Sequence, residues 1–187
     1  MNPSHWTQPL EQIAGEFATA FGPLSATQLN WKPGPDRWSI GQVIDHLITT
    51  NSTYFPIIAA MKAGTYKPHF NAKIGFLVSF FGKLILGSVQ PEATRKQKTF
   101  PPFEPSQSSI PADIVKRLEA RQAQLIREIV GAQDLLNCVV SSPANRYVVY
   151  RLDRAFDILV AHERRHLLQA KAILAQMPDV VEFAKRR

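Results

Sequence analysis

The chain has 187 residues and is 45% hydrophobic, enough apolar material for one domain with its own core. Its single cysteine, Cys138, excludes an intramolecular disulfide and a cysteine-rich metal site. The formal net charge of +7 raises nucleic acid as a partner, but the basic residues are scattered. The clusters Arg95-Lys96-Gln97-Lys98, Arg164-Arg165 and Lys185-Arg186-Arg187 lack the interleaved aromatics of a nucleic-acid motif, so none is expected to bind one.

The start of the chain has no basic segment followed by an apolar run, the pattern of a signal peptide. The most apolar stretch, Ile74 to Val89, is shorter than the ~20 residues of a comfortable membrane span and is interrupted by Lys83. A cytoplasmic protein with no membrane partner is the expectation.

A first helix is predicted from Trp6 or Pro9 to Phe21, where Leu10, Ile13, Phe17 and Phe21 recur at three- and four-residue steps before Gly22-Pro23. Ser25 to Arg37 reads as a short turn and loop. Ser39 and Gln42 then form a capping box, S-x-x-Q, with Trp38 and Val43 placed as a hydrophobic staple. The second helix runs from there to about Met61, with His46 on its apolar stripe and Pro56 as a kink point. Ile74 to Leu86 reads as a short buried or interface helix, and the five prolines between residues 91 and 111 predict extended loop. A third helix is expected from about Pro111 to Leu136, with Ile114, Leu118, Leu125 and Ile129 facing the core. After Ser141 to Asn145 as loop and Tyr147 to Tyr150 as a short β-prone connection, a fourth runs from Leu152 to Gln176. No run alternates long enough to build a sheet. The expected architecture is all-α: one domain over residues 1–187, a four-helix bundle with an irregular helical excursion between helices 2 and 3.

The stripe of the fourth helix is Leu152, Ala155, Leu159, His162, His166, Ala170 and Ile173. Two histidines four apart on a helix share a face, the spacing at which two imidazoles can hold one metal ion. His46 likewise replaces an apolar residue on its stripe. Three buried, unpaired imidazoles would cost a few kcal/mol, and a shared cation offsets that cost. Three nitrogen ligands with an open fourth position suit a catalytic site, where the ion lowers the pKa of bound water to about 7 or activates a thiol. Each histidine alone is more often a satisfied core residue; the pair together with the third favours a metal. His5 and His69 fall in a chain end and a loop and are left out.

His162 to His166 also spells H-E-x-x-H, the zincin signature, in which Glu163 would be the general base. The reading is disfavoured: the downstream third ligand would be Glu182, the metzincin extension is absent, and no strand is evident to bind a peptide. Glu163 then becomes a group behind the ligands or a surface partner of an arginine, with Arg164 and Arg165 on a solvated face.

The segments Trp38-Ser39-Ile40-Gly41-Gln42-Val43-Ile44-Asp45-His46-Leu47 and His162-Glu163-Arg164-Arg165-His166-Leu167-Leu168-Gln169-Ala170 resemble two motifs of the DinB/YfiT-like superfamily. The resemblance implies a bundle of up-down-down-up connectivity, often a homodimer. It also implies a divalent metal, commonly nickel or zinc, on His46, His162 and His166. Members include metal-dependent hydrolases and transferases that use a low-molecular-weight thiol. The expected function is therefore a metal-dependent enzyme acting on a small molecule, by hydrolysis or thiol transfer; the alternative is a non-enzymatic helical binding protein with a structural metal or none. By helical position Gln42, Thr50, Tyr54 and Glu163 are the polar residues nearest the ligands.

Overall fold

The computed structural model describes residues 2–92, 99–107 and 109–178. Among the described residues seven α-helices follow in order: α1 Ser4–Phe21, α2 Ala26–Asn30, α3 Ile40–Ser52, α4 Tyr54–Lys62, α5 Gly75–Val89, α6 Ile114–Val130 and α7 Leu152–Leu174. α1 and α3 each pack against both α6 and α7, and these four carry the core. None of the described helices is long and apolar enough to cross a membrane.

The apolar stripes predicted for α1 and α6 are buried as expected. The corrections are local. α1 begins at Ser4 because Trp6 anchors it: its ring is buried against Phe156, and its Nε1–H donates to Asp157 Oδ1 at 2.8 Å. Ser25 to Asn30 is a helical turn with its own capping box between Ser25 and Gln28. The single second helix divides at Thr53 into α3 and α4. Pro56 has no N–H to offer the carbonyl of Ser52, and its ring would collide with it, so the chain restarts with Pro56 in the tolerant first turn of α4. α6 ends at Val130 before Gly131, a poor helix former, and a 3₁₀ turn over Gln133–Leu135 replaces the predicted last turns. Val139–Ser141 and Val149–Arg151 pair as a two-stranded antiparallel ribbon, Val140 opposite Tyr150, where no sheet was expected.

The interior forms two apolar clusters. One holds Trp6, Leu10, Tyr54, Leu125, Leu159 and Phe156; the other holds Phe17, Leu47, Leu118, Leu167 and Ile173. On three helices a buried polar residue stands at the boundary. Asn51 falls between Leu47 and Tyr54, Gln122 between Leu118 and Leu125, and Glu163 between Leu159 and Leu167. The three histidines lie beside this layer, on α3 and α7.

Candidate metal centre

α3 positions His46. The capping box forms as predicted: Ser39 Oγ accepts from the Gln42 N–H at 3.1 Å, and Gln42 Oε1 accepts from the Ser39 N–H at 3.2 Å. Residues 99–107, in the proline-rich segment after α5, then strap across the helix. Gln42 Nε2 donates to the Ser106 carbonyl at 3.0 Å, and the Ser106 N–H donates to Asp45 Oδ2 at 2.9 Å. Further along, Asn30 exchanges two 2.8 Å hydrogen bonds with the backbone of Ile110. The strap brings the Phe103 carbonyl to 2.6 Å from His46 Nδ1.

α7 supplies the other two rings. His162 Nε2 lies 3.2 Å from His46 Nε2 and 3.1 Å from His166 Nε2, and one ligand atom from each ring fits within a 4.8 Å group. Two nitrogens bound tetrahedrally at zinc–nitrogen distances would stand about 3.3 Å apart. His166 Nδ1 is 2.8 Å from Gln169 Oε1, one turn on. Trp38 walls the site, its ring centroid 5.1 Å from His46 and 6.2 Å from His166, stacked on the latter.

The cluster carries too few hydrogens to pair all its close nitrogens. A carbonyl only accepts, so His46 Nδ1 carries a hydrogen toward Phe103, and His166 Nδ1 does the same toward Gln169. Burial is the largest influence on each ring and disfavours the imidazolium. It lowers His46 despite help from the Phe103 carbonyl and Asp45, takes His162 well down, and brings His166 to about 3. Neutral rings protonated at Nδ1 turn bare lone pairs from His46 and His166 toward His162 Nε2, which carries at most one hydrogen. At least one of these close nitrogen pairs therefore sets lone pair against lone pair, a contact that a cation relieves. The residues present fit a divalent metal. Among the described residues no carboxylate or thiol joins the group, which leaves one side of such an ion to an outside ligand.

Glu163 is fully buried and is not the surface partner of an arginine. Its carboxylate accepts from Asn51 Nδ2 at 2.6 Å and from Gln122 Nε2. Burial raises its pKa to about 7 against the opposing pull of those two amides. With both oxygens taken inside the polar layer, it is not placed as the general base of a zincin. Glu182, the downstream ligand of that reading, lies outside the described residues. Arg165 is not on a purely solvated face either: it donates to the carbonyls of Ser88 and Gln90 at the end of α5.

Of the other polar candidates, Gln42 caps and straps rather than facing the ligands. Tyr54 shares a 2.7 Å hydrogen bond with Tyr150 in the first apolar cluster. Thr50 Oγ1 and His162 Nδ1 are both buried without a hydrogen-bond partner. The sequence does not bring Asn51, Gln122, Gln169 or the Phe103 carbonyl to the site, and it reads Trp38 as half of a hydrophobic staple rather than as a wall of the site. Gln122 had a signal, a polar gap in the apolar spacing of α6, and Gln169 another, its three-residue step from His166.

A family model for the DinB superfamily matches residues 10–170. The chain belongs to the DinB superfamily. Neither the comparison with curated proteins nor that with solved structures gives a match.

Proposed function

We propose that this protein binds one divalent metal ion, nickel or zinc, through Nε2 of His46, His162 and His166, and uses it to act on a small-molecule substrate. The observation that carries the reading is the convergence of three neutral imidazole nitrogens whose far sides are already committed or buried. When bound, the ion supplies Lewis-acid chemistry at its open side, for hydrolysis or for attack by a low-molecular-weight thiol.

The chain's own residues do the rest. Phe103 and Gln169 fix the tautomers of His46 and His166, as partners of ligating histidines commonly do. Trp38 covers one flank and limits water there. Glu163 stays inside, holding α3, α6 and α7 in register through Asn51 and Gln122.

The test is metal content by mass spectrometry on tag-free protein purified without chelator, beside His46→Ala/His162→Ala. The expected result is about one metal per chain, lost in a variant that keeps its helical circular dichroism. Wild-type protein that takes up no nickel or zinc on reconstitution sinks the reading.

A further inference from the structure

α5 turns two different faces to its surroundings. Val78 and Gly82 are buried, and a Cβ at Gly82 would come within 3.0 Å of Arg154 Cγ, so the helix lies close on the strand Val149–Arg151 and the start of α7. Ile85, Leu86 and Val89 pack partly against the first apolar cluster on the same side. The opposite face is not polar. Phe76 is 74% exposed, Leu84 54% and Phe80 47%, with the Phe76 and Phe80 rings stacked at 5.9 Å. Phe70, Ile74 and Tyr147 extend this apolar surface at the N-terminal end of the helix: Phe70 and Tyr147 both contact the His69 ring, and Asn71 donates to the Tyr147 carbonyl. Singly exposed apolar residues are ordinary; a contiguous aromatic stripe marks a contact surface.

The charge around the stripe indicates the occupant. Phe76, Phe80, Lys83 and Leu84 follow one another at helical spacing, all exposed, and Lys73, which ends the 3₁₀ turn Phe70–Lys73 before α5, is exposed with Lys67 and Arg146 near the same end. The sequence holds no Asp or Glu from His46 to Pro91. On the neighbouring start of α7, Asp153 is paired with Arg151 and Asp157 with Arg154. A second copy docked about a two-fold axis would set this stripe against itself, lysines facing lysines with no carboxylate of the helix to meet them. Aromatic and aliphatic tips ringed by unopposed lysines suit an anionic lipid surface, where the apolar side chains enter the acyl boundary and the ammonium groups remain at the phosphates.

We propose that the outer face of α5 is a peripheral docking surface for anionic lipid bilayers. The expectation of no membrane partner came from the lack of a spanning segment, and adsorption requires none. A homodimer, if this chain forms one, then uses another face.

The test is vesicle flotation of the full chain with phosphatidylcholine alone and with about one-third phosphatidylglycerol, for wild type, Phe76→Ser/Phe80→Ser and Lys73→Glu/Lys83→Glu. Wild-type protein is expected to float with the anionic vesicles at low salt, to stay in solution with phosphatidylcholine, and to be released by high salt. Each double variant should partition roughly tenfold or more weaker, with unchanged metal content and helical circular dichroism. Wild-type protein that does not float overturns the proposal. So does flotation that both double variants retain at full strength. Sedimentation velocity closes the remaining route: a wild-type dimer that Phe76→Ser/Phe80→Ser converts to monomer would make this face a self-interface and overturn the lipid assignment.

Discussion

At the scale of single residues, burial has tuned the histidines for a cation other than the proton. An imidazole with its ordinary pKa near 6.5 must shed a proton to bind a metal in mild acid. Three such rings would lose roughly several hundredfold in combined affinity between pH 7 and pH 5.5. Here burial lowers all three, His166 to about 3 and His162 well down, so the rings hold protons less readily than ordinary imidazoles across that interval. The affinity for zinc or nickel is expected to fall by less than about tenfold over the same range. Competition against a chelator of known affinity at the two pH values measures it, and a loss of several hundredfold would show that the rings are solvated. Glu163 presents the converse case. Glu163→Ala strands the amide donors of Asn51 and Gln122 in the interior and opens a void, a loss of about 2–4 kcal/mol in chemical denaturation.

At the scale of elements, the capping box of α3 and the strap over it make separable predictions. Ser39→Ala removes the side-chain acceptor at the helix start and should cost about 1 kcal/mol, a fall of roughly 2–4 °C in melting temperature, with metal affinity nearly unchanged. Gln42→Ala removes both the reciprocal cap and the bond to the Ser106 carbonyl. It should lose similar stability and in addition weaken metal binding by about tenfold or more, because the Phe103 carbonyl that fixes His46 rides on that strap. Equal metal affinity in the two variants would argue against the strap's role. The capping box itself was legible, since its residues sit at a fixed spacing, and so were the stripes of α1, α6 and α7, which follow helical periodicity. The pair His162 and His166 was legible for the same reason. The strap was not: Phe103 acts through a backbone carbonyl, which every residue carries, and the five prolines around it predict only an extended path. The break at Thr53 needed the clash between Pro56 and Ser52 to be weighed against a continuous apolar run. The ribbon of Val139–Ser141 and Val149–Arg151 is too short to show alternation. The apolar run of α5 reads from sequence as buried or as an interface, because its composition is that of a core helix; only packing on one side shows which residues stay outward.

For the molecule as a whole, the buried histidines and the Glu163 carboxyl beside them set opposing pH dependences in the metal-free state. His166 is neutral in both folded and unfolded chains above about pH 6.5. Between that value and its folded pKa of about 3, only the unfolded chain takes the proton, so stability falls as pH falls. His46 and His162, also lowered, act in the same direction. Glu163 acts in reverse. Its folded pKa of about 7 lies above the ordinary 4.5, so its contribution is fully present below pH 4.5 and is lost as pH rises through 7. Each titrating group changes stability by up to about 1.4 kcal/mol per pH unit inside its window, and the windows overlap from about 4.5 to 6.5. Three histidines against one glutamate leave the metal-free protein less stable in acid. Glu163→Gln keeps the side chain's shape and removes the opposing titration. Its stability should therefore fall more steeply than that of wild type on acidification from pH 6.5 to 4.5, by roughly 1 kcal/mol per pH unit. Denaturant unfolding of chelator-treated protein across this range measures both slopes. Parallel curves would mean that Glu163 titrates alike in folded and unfolded chains, and its amide partners would then hold it as a charged carboxylate throughout.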